Sequence, residues 1–493
     1  MKKIKKIVIV GGGTAGWITA LNLLQKTFAE IVVVSSKDIP IIGVGESTTG
    51  KLSELINLQG GFVNINEKDL LQSTGSTFKI GIKHSNWHTK GKSFYSPLGI
   101  EIDNENNYPN SNYDLYRIYH VAKELGLEQE FISRCMQDSK MPPIEFWEHF
   151  QIAYHIDTYK FGNYIKEQVL KNERVTHIEG KAEKLITNED GSIDFIYVND
   201  KAVLGDFFID CSGFKRLLIG NKQFKSYENN LLVNRALTFN IKDKEVNNYT
   251  HARAMNNGWM WEIPLQERKG CGYVFSDNHT TPDEAHKEIE ETIGQSVEIQ
   301  KDIKFNSGRI DNVWFKNILS TGLSSGFVEP LEATSIHMTV VQINHFIEQY
   351  FTETMDIKGK QQEQYNEDIR VIWDDIKDFI QLHYQTPRQD TLFWKDASSA
   401  TMSDTLKDRL DIWKGRMPRY VDYGRNNFYE LGNTLWYQIL IGMKILDKNV
   451  ALEELKSFKL LDYAKELQEN SLTINNKYYS RLITNKEYYV SKK

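Results

Sequence analysis

The residues with the clearest chemical potential lie between positions 322 and 338. A small-residue turn, 322–326, precedes Pro330, which is typical of a first helical residue because its missing N–H would be unbonded there anyway. The N–H groups that follow have no helical acceptor and lie at the positive end of the helix dipole, which favours an anion. Glu332 falls in this predicted first turn. An anion site beside a carboxylate indicates chemistry rather than packing.

A second candidate is a pair of lysines in the alternating segment 78–83. The period-two pattern predicts one strand that carries Lys79, Gly81 and Lys83 on the same face. A lysine on a strand is most often a solvated charge, so this pattern alone does not assign a role to either side chain.

The start of the chain has the pattern of a nucleotide-binding unit. Two β-branched strands, 7–10 and 31–34, enclose Gly-x-Gly-x-x-Gly at 11–16 and a helical segment. The glycines let the backbone approach a pyrophosphate at the helix N-terminus. The second strand ends at Ser35-Ser36 instead of an acid, so the ribose contact is weakened or made by a hydroxyl. A second glycine-rich turn, 41–48, is a candidate wall of the same site.

Composition excludes several classes of protein. The 493 residues carry a formal charge of −6, which argues against a dedicated nucleic-acid binder. No run of 18 apolar residues predicts a membrane helix, and the histidines show no metal-ligand spacing. The three cysteines, 135, 211 and 271, are far apart and fit a reduced, cytoplasmic compartment.

The order of elements predicts an α/β flavoprotein of the two-dinucleotide-binding type, with a Rossmann-like FAD domain. Helical patterns fill 110–175, and from 175 the period drops to two, with a turn at Asp190-Gly191. The buried segment 207–210 then returns the chain to the first sheet. Farther along the chain, the pattern of 259–264 predicts a strand with the indoles of Trp259 and Trp261 on one face. The segment 270–275 is predicted to be its hairpin partner.

Together these segments resemble the flavin-dependent halogenases of the tryptophan halogenase family. The match rests on the glycine motif at 11–16, Gly-Val-Gly-Glu at 43–46, Trp-x-Trp-x-Ile-Pro at 259–264 and Phe-Val-Glu-Pro-Leu-Glu within 322–335. Phe-Lys-x-x-Ile at 78–82, followed by Asn86-Trp87, fits the family's lysine strand. The similarity runs from residue 1 to about 445, and Trp-x-Trp-x-Ile-Pro is highly specific.

The resemblance implies a core over 1–350 that binds FAD, with substrate-side insertions at about 60–175 and 225–305. A mostly helical region, 351–493, would cover the substrate site. It also implies a separate flavin reductase that supplies FADH2, and a halide ion: chloride, bromide or iodide. A homo-oligomer is compatible with the sequence, and no nucleic-acid or membrane partner is expected.

The resemblance further implies that the halide is oxidised to hypohalous acid, which travels inside the protein to Lys79. The lysine hydrogen-bonds this acid or forms a haloamine, and an electron-rich aromatic substrate attacks the halogen. Glu332 takes the ring proton, or stabilises the cation and polarises the oxidant. Lys79 and Glu332 are thus the expected catalytic residues, and we expect them to meet across a common cavity beyond an indole wall from the flavin.

Further site residues follow from the same match. The backbone N–H groups of Thr334 and Ser335 correspond to the halide cradle, which has glycine at the second place in many members. The expected cofactor-binding residues are Gly11, Gly13, Thr14, Ala15, Gly16, Ser36, Ile39, Glu46, Ser47, Leu323 and Ile336. The indoles of Trp259 and Trp261 would separate flavin from substrate.

The sequence departs from tryptophan-specific members at the substrate. Their His-x-Phe sandwich is replaced by Ser96-Pro97-Leu98, and the tyrosine pair that grips the amino-acid head group by Thr434-Leu435. Ser96, Leu98, Thr434 and Leu435 are therefore the expected substrate wall together with the two tryptophans. A pocket without a ring stack or a polar clamp suits small indoles or other electron-rich aromatics.

Three alternatives remain at this point. A flavin monooxygenase that hydroxylates an aromatic is disfavoured by the tryptophan pair and by Glu332. A non-catalytic flavin-binding protein is disfavoured by the intact Lys79 and Glu332. A phenol halogenase that acts on a carrier-bound substrate shows no docking signal in the sequence.

The substrate expectation gives a direct test. With a generic flavin reductase, we expect free indole to be halogenated faster than free L-tryptophan, because the clamp for the amino-acid head group is missing. Product formation is measured by mass spectrometry with chloride, bromide and iodide in turn. The reverse ranking of the two substrates would refute the expectation.

Overall fold

The computed structural model describes residues 4–39, 45–58, 60–98, 131–143, 151–221, 223–243, 245–352, 359–419, 421–423, 433–485 and 487. The chain forms two compact units that alternate along the sequence. Unit 1 contains Met1–Ser76, Ile156–Glu228 and Asn306–Asp374, and unit 2 contains Thr77–His155, Asn229–Phe305 and Asp375–Lys493. The functional division expected near residue 350 stays a prediction.

The helices in the described residues are α1 Thr14–Lys26, α2 Gly50–Ile56, α3 Glu67–Thr74, α4 Phe131–Gln137, α5 Thr158–Val169, α6 Pro282–Ile293, α7 Thr334–His345, α8 Lys360–Leu382, α9 Leu392–Ser399, α10 Asp404–Ile412, α11 Asn433–Gly442, α12 Lys448–Ser457 and α13 Leu461–Tyr478. A π-helical turn, Phe346–Tyr350, continues α7.

The strands are β1 Lys6–Val10, β2 Glu30–Ser35, β3 Gly45–Ser47, β4 Thr77–Lys79, β5 Gly81–Ser85, β6 Ser93–Pro97, β7 Lys140–Met141, β8 Ala153–Asp157, β9 Val175–Glu179, β10 Ala182–Thr187, β11 Ile193–Val198, β12 Lys201–Leu204, β13 Phe207–Asp210, β14 Phe224–Ser226, β15 Arg235–Ile241, β16 Tyr249–Ala254, β17 Gly258–Pro264, β18 Lys269–Phe275, β19 Ile299–Lys304, β20 Gly308–Ile310, β21 Trp314–Phe315, β22 Ile318–Ser320, β23 Gly326–Phe327 and β24 Ile483–Thr484.

Unit 1 is built on a six-stranded sheet with the strand order β21-β22-β13-β1-β2-β9. β1 pairs in parallel with both β2 and β13, so the strand before the glycine turn lies inside the sheet. Valines on one face of β1 and β2 pack against the antiparallel sheet β10-β11-β12 in a single hydrophobic core. The expected Rossmann-like unit, and the return of the chain to its sheet, are confirmed.

Unit 2 contains a seven-stranded sheet with the order β19-β15-β18-β17-β16-β5-β6. β17 and β18 form the hairpin expected after residue 258. α6 packs on β15 and β18. It begins at Pro282 behind a capping box between Thr281 and Glu284, and it ends at Ile293, followed by the C-cap Gly294 with a φ of 76°. These start and stop signals explain why its bounds are readable from the sequence.

The segment 78–83 forms two strands, whereas the sequence analysis expected one. β4 ends at Lys79 and pairs with β8, and the following β5 pairs with β6 and β16. Between them, the N–H of Ile80 donates to the carbonyl oxygen of Asn248, and the carbonyl of Ile80 accepts from the N–H of Leu98. The expectation was wrong because side-chain alternation does not record which strand the backbone pairs with.

Helices dominate the described part of the chain after residue 359, as expected. Two other expectations fall partly outside the described residues: the helical stretch 110–175 and the glycine turn 41–48. The tail has the composition of a surface segment, yet β24 pairs with β7 and Asn485 is buried. Among the described residues, no helix has the length and apolar character needed to cross a membrane.

The close approach of α1 to the end of β1 predicts different effects at two glycines. A Cβ on Gly16 would lie 1.9 Å from the carbonyl oxygen of Gly11, whereas a Cβ on Gly13 would meet nothing within 4 Å. We expect Gly16→Ala to lower the free energy of unfolding by about 2 kcal/mol, as overpacking does. Gly13→Ala meets no clash and loses only the N-cap preference for glycine over alanine, so it should lower the free energy of unfolding by less than about 1 kcal/mol. Urea unfolding followed by circular dichroism measures both, and equal stability of the two variants would contradict the packing.

Candidate active site

The glycine turn between β1 and α1 has the space and the donors that a dinucleotide needs. Gly11 adopts a φ of 126°, and a Cβ there would lie 2.2 Å from the carbonyl oxygen of Cys211. Gly13 is the N-cap of α1, and no side chain caps the helix. The first-turn N–H groups of Thr14 and Ala15 are therefore left for an anion such as a pyrophosphate. This arrangement fits FAD.

The end of β2 carries hydroxyl groups where many nucleotide sites carry an acid. Ser35 Oγ lies 2.9 Å from His177 Nε2, and the indole of Trp17 meets the His177 ring edge-on at 5.6 Å between centroids. Burial lowers the pKa of His177, which favours the neutral imidazole. The expected contacts Ser36 and Ile39 are half-buried and exposed, respectively. His177 could not be predicted from the sequence, because its only signal is its place on β9, the strand beside β2.

β3 carries two further expected cofactor residues. Burial raises the pKa of Glu46 to about 7, so its carboxyl group changes charge near neutrality. Ser47 is buried, and within the described part of the chain its hydroxyl has no hydrogen-bond partner. A buried hydroxyl without a partner is costly, and a ligand that bonds to it removes that cost. Ser47 therefore also fits a bound cofactor.

A buried carboxylate fixes the loops that follow the parallel strands of unit 1. Asp210 accepts hydrogen bonds from the N–H and hydroxyl of Ser212, from the N–H groups of Leu218 and Ile219, and from the hydroxyl of Ser324, at 2.7–3.1 Å. These donors come from two loops that are distant in sequence. The sequence analysis missed Asp210 because nothing local marks it as a shared acceptor.

The loop after β22 also lies against α1. A Cβ on Gly322 would come within 2.7 Å of the Cβ of Ala15. The next residue, Leu323, is half-buried, and α7, which carries the buried Ile336, packs on α1 as well. The structure thus brings the two late flavin contacts expected from the sequence to the helix of the glycine turn.

Glu332 lies in a short 3-10 turn, Leu331–Ala333, that precedes α7, and not in the first turn of the α-helix as expected from the sequence. Glu332 and Ala333 adopt left-handed φ values of 65° and 59°, and α7 begins only at Thr334. Two successive left-handed residues cannot continue a right-handed helix, so Pro330 is not its first residue. Strain of this kind costs about 1–3 kcal/mol per residue and concentrates at functional sites. Glu332 is also buried, with 5% of its surface exposed.

The change of backbone handedness after Ala333 forms a cradle of N–H groups. Ala333 is left-handed, Thr334 is right-handed with φ −74° and ψ −21°, and no side chain caps α7. Successive N–H groups in such a pair converge on one point, and the helix dipole adds positive potential there. Thr334 and Ser335, the expected halide residues, contribute N–H groups to this cradle. Thr334 is buried, so little water competes for the site.

Lys79 is fully buried on β4 of unit 2, beside a neutral histidine. On the same strand, the Thr77 hydroxyl donates to the carbonyl oxygen of Pro264 at 2.6 Å, so its oxygen accepts from His155 Nδ1 at 3.1 Å. His155 Nε2 then accepts from the Thr250 hydroxyl at 3.0 Å. Burial and the nearby charge of Lys79 both lower the pKa of His155. Because the imidazole of His155 is neutral, it does not place a second positive charge beside Lys79 in the protein interior.

Burial separates the two lysines that the sequence pattern left equivalent. Lys83 is half-buried, and its Nζ lies 5.8 Å from the ring centroids of both Tyr95 and Tyr249. A charge over aromatic rings at a partly exposed position is a common surface contact. Lys79, with no exposed surface, is the lysine in an environment suited to chemistry.

Trp259 and Trp261 are buried neighbours on one face of β17, with ring centroids 6.0 Å apart. Gly272, opposite Trp261 on β18, leaves space for the indole, because a Cβ there would lie 2.2 Å from its ring. The ring of Trp87 lies 6.3 Å from that of Trp259 and extends the cluster. Across the described residues, Trp261 Nε1 finds no hydrogen-bond acceptor.

The residues expected to line the substrate are buried wherever their side chains are described: Ser96, Leu98 and Leu435. The side chain of Thr434 lies outside the described residues. Phe94 lies on the same face of β6 as Ser96, and its ring stacks on His84 with centroids 4.7 Å apart and planes at 12°. This contact between rings on neighbouring strands was not predicted from the sequence.

Comparisons with known proteins agree with these features. The family model for tryptophan halogenase matches residues 6–454. Tryptophan 6-halogenase from Streptomyces albogriseolus is 30% identical over 492 residues, covering 91% of each chain. A flavin-dependent halogenase from Xanthomonas campestris superposes with a TM-score of 0.85 at 27% identity, over 99% of this chain and 98% of the other. One from a Brevundimonas species gives 0.83 at 26%, over 99% of both chains.

Flavin-dependent halogenases use FADH2 and a halide, and they need a separate flavin reductase and an aromatic substrate. The glycine turn and the Ser47 hydroxyl fit FADH2. The cradle of N–H groups at the start of α7 fits the halide. The chain belongs to the tryptophan halogenase family and is a flavin-dependent halogenase.

Proposed function

We propose that this enzyme halogenates a small electron-rich aromatic compound, such as an indole, rather than free tryptophan, through hypohalous acid confined in the protein. The complete burial of Lys79, at the position of the family's lysine, carries the proposal. When reduced FAD is bound, it activates O2, and the activated oxygen oxidises the halide to hypohalous acid. The remaining tasks fall to side chains of this chain.

Lys79 holds the oxidant and directs its halogen. A hydrogen bond donated where water is excluded is stronger than one in solvent, so a buried amine can bind and polarise hypohalous acid. The neutral His155 supports this role, because it adds no competing charge to the Lys79 environment. The lysine either keeps the acid intact by hydrogen bonding or forms a haloamine with it.

Glu332 removes the proton from the substituted ring. The carboxylate is buried, and its left-handed backbone fixes the direction in which the side chain leaves the chain. A positioned base of this kind contributes about 10²–10⁴-fold to a proton transfer. The same negative charge stabilises the cationic ring that precedes proton loss.

The indoles of Trp259 and Trp261 and the N–H cradle at the start of α7 would both keep hypohalous acid inside the protein. Trp259 and Trp261 form a buried aromatic wall that would keep oxygen transfer away from the substrate. Thr334 and Ser335 would hold the halide through backbone N–H groups, so that no side-chain cation is needed at that point. Hypohalous acid then forms from a fixed halide rather than from one in solution.

A small aromatic substrate is supported by the side chains near β6. Ser96, Leu98 and Leu435 offer no charged group to the carboxylate or ammonium of an amino acid. His84 and Phe94 stack directly on each other, so they form one aromatic wall and not two rings spaced to hold a ligand between them. The Streptomyces relative is named for tryptophan, whereas the Xanthomonas and Brevundimonas enzymes are described without a substrate.

Replacing Lys79 tests the catalytic proposal against a matched lysine. We expect Lys79→Ala to lower halogenated product at least about 100-fold, the usual effect of losing one key hydrogen-bond donor. Lys83→Ala, four residues along the chain, should keep near wild-type activity. Product is counted by mass spectrometry of indole incubated with a flavin reductase and bromide. Halogenation by Lys79→Ala at the rate of Lys83→Ala would rule out the assigned role.

The halide cradle predicts a change of halide preference. Ser335→Gly removes the Cβ beside the N–H groups, so we expect the ratio of brominated to chlorinated product to rise at equal halide concentrations. Ser335→Ala keeps the Cβ and should retain the wild-type ratio. Competition assays with both halides measure the ratio in each variant. A ratio that is unchanged in both variants would remove Ser335 from the halide site.

A further inference from the structure

The seven-stranded sheet of unit 2 carries a hydrogen-bonded line of Ser85, His251 and Glu262 on the face opposite the tryptophans. Ser85 Oγ lies 2.8 Å from His251 Nε2, and His251 Nδ1 lies 3.1 Å from Glu262 Oε1. The three residues come from adjacent strands, β5, β16 and β17. His251 and Glu262 are direct cross-strand partners. The register of the sheet therefore holds the line in place.

The hydrogen bonds define the tautomer of His251. An ionised Glu262 can only accept, so His251 Nδ1 must carry the proton that is shared between them. Nε2 of a neutral imidazole is then an acceptor, and the Ser85 hydroxyl must donate to it. The serine oxygen is thus already bonded to a base that can take its proton, as in a nucleophilic triad.

The charge states suit this arrangement. Although burial opposes it, the hydrogen bond from His251 and the charge of Arg253 hold the pKa of Glu262 at about 2. Burial, followed by the charges of Arg253 and Lys83, lowers the pKa of His251 in spite of Glu262. The acid is therefore ionised and the base is neutral at neutral pH, which is the state that general base catalysis requires.

A nucleophilic triad also needs a hydrogen-bond donor for the oxyanion, and Arg253 is placed to be that donor. It lies directly opposite Ser85 in the register of β5 and β16, and one of its terminal nitrogens is 3.2 Å from Glu262. Among the described residues its Nε–H has no hydrogen-bond acceptor. The guanidinium carries further N–H groups, which can donate to an oxyanion that forms beside the serine. Side-chain exposures of 15% for His251 and 32% for Arg253 leave the line reachable from solvent.

We propose that Ser85, His251, Glu262 and Arg253 form a second active site that hydrolyses aryl esters of small carboxylic acids. Ser85 pairs with Ser93 on β6, and Tyr95, two residues further along β6, lies on the same face of the sheet. Its ring can pack against an aromatic leaving group, which is why we assign aryl esters.

The reaction balances with water as the co-reactant. Ser85 Oγ attacks the ester carbonyl, His251 Nε2 takes the hydroxyl proton, and Arg253 stabilises the oxyanion. The bond from the acyl carbon to the aryl oxygen breaks, and His251 gives its proton to the leaving phenol. Water then attacks the acyl group on Ser85, again through His251, and the free acid leaves with the serine restored.

Covalent labelling tests the proposal without flavin or halide, so the result does not depend on the halogenation mechanism. The full-length enzyme is treated with an alkyl fluorophosphonate, and the modified peptide is identified by mass spectrometry. We expect one label per chain, on Ser85. His251→Gln should slow labelling about 100-fold, the usual effect of losing a general base. Turnover of p-nitrophenyl acetate should fall in parallel.

Ser93→Ala is the matched control, because Ser93 is the cross-strand neighbour of Ser85 on β6 and has no part in the line. It should be labelled like the wild type. Halogenation of indole by Ser85→Ala and His251→Gln reports that both variants are folded. A label on Ser85 of the wild-type enzyme, together with slow labelling of His251→Gln, supports the proposal. A label on another residue, no label at all, or His251→Gln labelled at the wild-type rate would overturn the proposal.

Discussion

The cofactor half of this enzyme depends on one buried carboxylate. Asp210 has no exposed surface, and it accepts five hydrogen bonds from two loops that are more than 100 residues apart in sequence. A carboxylate taken out of water costs several kcal/mol unless donors replace its hydration. Four of the five donors lie between Ser212 and Ile219, and the fifth is the Ser324 hydroxyl, so the carboxylate links the two loops. The bond to Ser324 helps to hold the segment that begins at Gly322 against the end of β13.

The left-handed pair of Glu332 and Ala333 shows where sequence reasoning reaches its limit. Pro330 and the polar residues after it are ordinary signals of a helix start, and neither glutamate nor alanine favours a positive φ. The helix nevertheless begins four residues after Pro330. Local preference is overridden because the surrounding loops are already fixed by contacts with distant parts of the chain. The residue types of the site could be predicted from the sequence, whereas the backbone that orients them could not.

The same distinction applies across the fold. The β-branched strands, the glycine motif and the capped helix α6 are encoded within a few neighbouring residues, and their expected positions are correct. At Ile80 the backbone stops pairing as β4 and starts pairing as β5, and its hydrogen-bond partners there are Asn248 and Leu98. The alternation of side chains within 78–83 contains no information about these distant partners. The neutral state of His155 beside Lys79 is likewise recognised only from the contacts of the folded chain. Short-range patterns therefore gave the elements, and long-range hydrogen bonds decided the environment of the reactive groups.

The Trp-x-Trp-x-Ile-Pro motif places a constraint on both faces of its strand. β17 pairs with β18 on one side, where Trp261 lies opposite the space left by Gly272, and with β16 on the other side, where Glu262 lies opposite His251. A slip by one residue would exchange the faces, so that a carboxylate would enter the aromatic cluster and an indole would replace the acceptor of His251. Both exchanges leave buried polar groups without partners. The aromatic face and the charged face of β17 therefore stabilise the same register, and either half of the motif depends on the other.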